Sequence, residues 1–180
     1  MHLNDNEIIL KEILPKKSFF FNLTEKIRIV FSFFYLAISV VLLFNMVFPL
    51  FFFAIIVFFT ALYITIFRWV LRYFDLKNNY YVITNQRIII ANKKNDEIEK
   101  YKNIKEIDQV NIEMNKHFFG NIIFGEPENI FGCNDEPFSL FKRYGMNFSE
   151  DKYAFLSVEN INEIVSIFKN LSLKINKTFY

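Results

Sequence analysis

Residues that commonly do chemistry are sparse in this chain. Its 180 residues include one cysteine, Cys133, and two histidines, His2 and His117. A lone cysteine excludes an intramolecular disulfide, which agrees with a reducing, cytoplasmic location. The two histidines are far apart in sequence and have no flanking metal-ligand spacing. Glycine and proline number only four each, and no glycine-rich phosphate loop or Ser-His-acid motif is present. No catalytic, cofactor-binding or metal-ligating set is therefore expected, and the chain reads as a non-enzyme. The net charge of +2 gives no argument for a nucleic-acid partner.

The longest absence is of charge itself. From Ile29 to Phe67, 39 residues contain no Asp, Glu, Lys, Arg or His, and eleven of them are Phe. One helix of that length would be about 58 Å long at 1.5 Å per residue, against a hydrocarbon core of roughly 30 Å. Two helices joined by a tight turn fit instead. Asn45 is the only carboxamide in the run and Pro49 its only proline. Proline suits a first helical turn and disfavours helix in the residue before it, so Phe48-Pro49 reads as a restart. The expected spans are 29–46 and 49–67.

Lys16, Lys17, Lys26 and Arg28 precede the hairpin, and Arg68, Arg72 and Lys77 follow it. Basic residues near span ends stay on the cytoplasmic side, so both termini are expected in the cytoplasm. Trp69, Tyr73 and Phe19–Phe21 fall where interfacial aromatics would sit; Phe19–Phe21 could equally pack under the following domain. The run is too long and too late for a cleaved signal peptide. Its spans carry no ionisable residue, so they read as an anchor rather than an ion path. Ser32, Ser39, Asn45, Thr60 and Thr65 are available to bond between helices or back to their own backbone.

Three regions follow: an N-terminal arm over 1–28, the hairpin over 29–67 and one cytoplasmic domain over 78–180. The arm holds five basic and four acidic residues, so it is no polybasic lipid switch. Beyond Asn78 the pattern turns β-prone. Tyr80–Ile83 and Arg87–Ala91 flank the polar turn Thr84-Asn85-Gln86, and Glu97–Tyr101 pairs back across Asn92–Asp96. Ile104–Glu113 reads as strand. Gly120 permits a sharp turn into Asn121–Phe124, and Tyr153–Leu156 is a further strand. Ile161, Ile164, Val165, Phe168 and Leu171 form one apolar stripe at helical spacing, with Ser157 as the expected N-cap. The stretch 126–152 reads as a long loop with one short strand around Phe138–Phe141.

The order of arm, two-span hairpin and Tyr81-Val82-Ile83-Thr84-Asn85-Gln86-Arg87 resembles the membrane-anchored bacterial pleckstrin-homology (PH)-like family. Glu7-Ile8-Ile9-Leu10 with Pro15, Gly120–Phe124 and Val158–Leu171 match further parts of that pattern. The resemblance implies an α+β protein in the bacterial inner membrane. Its transmembrane hairpin is followed by a PH-like, partly open β-barrel of about seven strands, capped by a C-terminal helix. Domains of this fold in other kingdoms often bind lipid headgroups through a basic cluster in the first strand loop; here only Arg87 lies near that loop.

Candidate contacts to a ligand or the membrane surface are Arg87, Lys93 and Lys94 at the two hairpin turns, and Lys142 and Arg143 in the long loop. Thr84–Arg87 also has a purely structural reading, because Thr and Asn bond turn backbone and Arg87 can reach an acid or carbonyls across the hairpin. The expected partners are the lipid bilayer and a protein, including another copy. The expected role is a non-enzymatic interaction module. The alternatives are an accessory subunit of a membrane transporter or enzyme, and a lipid-headgroup binder. An enzyme would have to draw on Arg87, His117, Asp135 and Glu136.

Overall fold

The computed structural model describes residues 1–45, 50–127, 130 and 151–180. Two compact units emerge, one from residues 1–20, 74–127 and 151–180, the other from Phe21–Tyr73.

The second unit is a pair of apolar helices. Helix α1 (Leu23–Asn45) begins six residues ahead of the uncharged run. Asn22 starts it: its side-chain oxygen accepts the Glu25 N–H at 2.7 Å, satisfying one of the orphan donors of the first turn. Helix α2 (Leu50–Leu62) passes through a π-helical turn, Tyr63–Phe67, into α3 (Arg68–Asn78). The second helix therefore runs unbroken over Leu50–Asn78, 29 residues against 23 for α1, and both are long and apolar enough to cross a membrane. The expected restart at Phe48-Pro49 lies outside the described residues.

Burial in this pair is selective. Ser32, Ser39, Ala54, Ala61 and Thr65 are buried, while Phe33, Phe34, Val41, Phe44, Phe52, Phe53, Ile56 and Phe59 are exposed. Small side chains let the helix backbones approach. Ser32, Ser39, Asn45, Thr60 and Thr65 all bond back to carbonyls of their own helix. Thr65 Oγ1 also lies 3.0 Å from the Ser32 carbonyl on α1.

The first unit is built on two sheets. Strands β1 (Ile9–Ile13), β2 (Asn79–Thr84), β3 (Arg87–Asn92) and β4 (Ile98–Asn103) form an antiparallel meander in that order. The second sheet has the order β7-β6-β5-β8, from β5 (Gln109–Met114), β6 (Gly120–Phe124), β7 (Ala154–Val158) and β8 (Lys174–Phe179). Only β8 runs parallel to its neighbour, β5. Helix α4 (Ile161–Asn170) packs on the core with Ile161, Ile164, Val165 and Phe168, and Leu171 lies against the same cluster. The expected apolar stripe is thus the face it buries.

That core takes alternate residues from both sheets: Tyr81, Ile83, Ile88 and Ile90 from the first, Val110, Ile112, Ile122, Phe124 and Phe155 from the second. Tyr81 stacks on Phe155 at 4.5 Å, and Phe124 meets both Phe155 and Phe168 edge-on. The other face of the first sheet is buried too, through Tyr80, Val82, Ile89 and Ala91 under Met1 and Ile98. That explains why β2 and β3 read as continuous apolar runs rather than alternating ones. Gly120 is required by close approach: a Cβ there would stand 1.8 Å from the Glu113 carbonyl oxygen on β5.

Several expectations need correction. The partly open barrel of about seven strands is two separate four-stranded sheets, neither closed into a barrel. The residues expected to form only an arm supply β1, which pairs with β2 through Ile13 and Tyr81. The apolar helices are therefore inserted in sequence between two neighbouring strands of one sheet. Strand β8 was not expected. Ser157 does not cap α4: it is a fully buried β7 residue with φ of 56°. Asn160, also left-handed at 53°, turns the chain into the helix instead, a conformation Asn adopts more readily than most residues. The strand expected around Phe138–Phe141 lies outside the described residues, as does Cys133.

Candidate functional site

The turn that carries the family resemblance closes on the N-terminal segment. Thr84 Oγ1 accepts the N–H groups of Gln86 at 3.1 Å and Arg87 at 2.9 Å, which tightens the turn from within. Arg87 then reaches back to Glu7 with Nε on Oε1 at 2.9 Å and Nη2 on Oε2 at 3.0 Å. This two-pronged pairing is the geometry a guanidinium offers a carboxylate best. The Thr84 hydroxyl lies 2.7 Å from Glu7 Oε1 and 2.8 Å from the Arg87 carbonyl, and its single proton serves one of them at a time. Asn85 receives the Ile8 N–H and donates to the Asn6 carbonyl, while Gln86 donates to the Asp5 carbonyl.

All four turn residues thus hold residues 5–8 in place. Arg87 itself is only 6% exposed and also covers the Tyr101 ring at 5.0 Å. Burial alone would raise the Glu7 pKa. The hydrogen bonds from Arg87, Asn4 N–H and Thr84, with the Arg87 charge, outweigh it and hold the carboxyl below its usual range.

Lys93 and Lys94 lie in the β3–β4 turn, as the spacing predicts. The turn packs on the end of α3: Lys93 N–H donates to the Asn78 carbonyl at 2.7 Å, and its ammonium reaches the Lys77 carbonyl at 3.4 Å. A cation over the last carbonyls of a helix also suits the helix dipole. Burial, with the charge of Lys17 nearby, pushes the Lys93 pKa down. Lys94 is exposed, and its backbone N–H bonds Asn92 Oδ1 at 3.0 Å. His117 is exposed in the β5–β6 turn. Lys142, Arg143, Asp135 and Glu136 lie outside the described residues. Among the described residues, no three His, Cys, Asp or Glu side chains converge to hold a metal ion.

Sequence reasoning missed a third cluster, at the base of the helix pair. Glu25 on α1 receives Arg28 at 2.9 Å, both its oxygens receive Arg68 at 3.0 Å, and Arg72 stands 3.6 Å away. Each of the four is between 3% and 9% exposed. Arg68 and Arg72 also lie over the Trp69 ring at 5.3 and 5.4 Å, and Phe21 meets that ring at 5.4 Å. Phe20, by contrast, belongs to the sheet unit, edge-on to Phe119 and Tyr180. The sequence separates Glu25 from Arg68 by 43 positions, so no local pattern could pair them. Asn22-x-x-Glu25 is the one readable signal, an N-cap followed by an acid in the first turn.

Comparison with known proteins finds no family model, no curated relative and no solved structure that matches this chain.

Proposed function

We propose that the protein is a membrane-tethered, non-enzymatic interaction module of the bacterial inner membrane. In this reading α1 and the helix over Leu50–Asn78 cross the bilayer, with both termini in the cytoplasm. The sheet unit is a PH-like domain that presents its edges and loops to a protein partner, including a second copy. Tethering raises the effective concentration of weak contacts along the membrane.

The observation that carries the membrane reading is the inverted burial of the helix pair: small and polar residues inside, Phe and Ile outside. Water would favour the reverse, whereas lipid tolerates an apolar exterior and leaves small residues to make the helix contact. Two antiparallel runs, β1 to β4 and β5 to β7, with helix α4 on the core they share, support the PH-like part. The exposed strand β4, unpaired on one edge among the described residues, offers that edge for such contacts.

Protease accessibility of residues 78–180 in oriented vesicles tests the topology: cleavage is expected in inside-out and protection in right-side-out vesicles. Chemical crosslinking followed by purification in detergent tests the role. A specific partner or self-association is expected, and recovery of the bare monomer alone overturns it. Co-migration with a larger polytopic protein, together with loss of its flux on deletion, would point instead to an accessory subunit.

A second reading has its own observation. Lys93 lies beside the last turn of α3, ten residues past Phe67 along the helix, and is near enough to Lys17 to feel its charge. Anionic headgroups would be attracted there. Vesicle binding that depends on anionic lipid and is lost in Lys17→Gln/Lys93→Gln favours this reading.

A further inference from the structure

The sheet unit contains a cleft of about 200 Å³ lined by apolar side chains and by charged ones of both signs. Leu76, Tyr81, Ile90 and Ala154 line it, all buried. Asp75, Glu99 and Asp151 line it with Lys100 and Lys152. Strand β7 is an edge strand of its sheet, and the Leu156 N–H is taken by the Tyr81 hydroxyl at 3.1 Å. Among the described residues, the cleft therefore lies beside a strand edge held by a side chain rather than closed by another strand.

Glu99 is held in place within this cleft. Asn79 Nδ2 donates to Oε2 at 2.9 Å and Asn92 Nδ2 to Oε1 at 3.1 Å. Two amides fix the plane of the carboxylate without neutralising it, and a carboxylate has about four acceptor positions. The three carboxylates share the cleft, yet among the described residues no such trio converges closely enough to hold a metal ion. Lys100 and Lys152 supply the opposite charge for an anionic group.

From this arrangement, the geometry points to a binding site for a small zwitterion of amino-acid size. Its ammonium lies towards Glu99, its carboxylate towards Lys100, and its apolar part rests on Leu76 and Ile90. The inference is independent of the membrane reading. Because these charges face water, affinity is expected in about the millimolar to tens-of-micromolar range.

The test is calorimetric titration of the full chain in detergent micelles. The probes are L-leucine and two analogues that each lack one charge, isoamylamine and 4-methylpentanoate. Saturable binding of L-leucine is expected, weakened about tenfold or more for each analogue. Glu99→Gln and Lys100→Gln should each weaken it by a similar factor, while Lys94→Gln, at a turn outside the cleft, should not. Both substitutions are at exposed positions, and circular dichroism checks that the fold persists. No saturable binding of L-leucine up to about 20 mM, or binding unchanged in both cleft variants, overturns the proposal.

Discussion

The two units of this protein bury opposite kinds of residue. In the sheet unit Ile83, Ile112, Phe155 and Phe168 are essentially inaccessible, and Thr84 and Arg87, buried with them, are hydrogen-bonded. In the helix pair Ser39 and Ala54 are the inaccessible residues, and Phe53 is 61% exposed. The difference teaches that a phenylalanine has no fixed structural meaning here. In the sheet unit its burial drives folding. On the helices it faces outward, where the surrounding medium decides its effect.

Three experiments can break or sharpen this contrast. The largest effect is expected from replacing Phe21–Tyr73 with a flexible Gly/Ser linker. The residues on either side, Phe20 and Phe74, both belong to the sheet unit. The shortened chain should move from the membrane pellet to the soluble fraction and keep a β-rich circular dichroism spectrum with a cooperative melt. An insoluble or unfolded product would mean that the sheets depend on the helices.

Next comes the same substitution at two phenylalanines. Phe155→Ala, at a fully buried site, should cost about 3–5 kcal/mol in denaturant unfolding. Phe53→Ala, on the exposed face of α2, should stay within about 0.5 kcal/mol in detergent. Similar losses at both sites would show that Phe53 is covered by a protein surface rather than by the apolar medium.

Smaller losses than at Phe155 belong to the clasp between the turn and the N-terminal segment. Thr84→Val removes a hydroxyl that serves Glu7 and two turn N–H groups, and should cost about 1–3 kcal/mol. The pH profile has two sides. The Glu7 pKa is depressed in the folded state, so its contribution is present above the ordinary carboxylate range and is lost as pH falls through the lowered value. Tyr80 runs the other way. Burial, then the Asp96 hydrogen bond and the charges of Asp96 and Glu12, push its pKa from 10.0 to about 12. Its contribution is complete below 10.0 and is lost as pH rises towards about 12. Thermal melts across pH should show both flanks. Glu7→Gln should flatten only the acid one, and a change confined to the alkaline side would contradict the assignment.

Periodicity in the sequence was a good guide wherever one face of an element was buried. The stripe Ile161, Ile164, Val165 and Phe168 is the buried face of α4, and the β2–β3 turn falls where Thr84-Asn85-Gln86 predicts it. Absence of charge marked both apolar helices, but not where they stop. Helix α1 starts at a cap rather than at the first apolar residue, and α3 continues through Arg68 and Arg72, whose charges face Glu25. Edge strands were the hardest to see. Strands β1 and β8 are mixed in polarity and largely exposed, so neither shows the apolar pattern of a core strand. The clasp residues were visible as a motif. Their partner Glu7 was not, because it lies 80 positions from Arg87.

The insertion of the helices between β1 and β2 also sets a timetable for synthesis. Ile13 leaves the ribosome 68 residues ahead of its partner Tyr81, roughly 3 to 14 s earlier at ordinary translation rates. During that interval β1 has no strand to pair with, and its backbone must stay solvated or be shielded. Closing the first sheet across so long an insertion carries an entropy cost that grows only slowly with its length. Connectivity fixes one order of events: both helices are synthesised before β2 emerges, and only then can the oldest strand of the domain find its place.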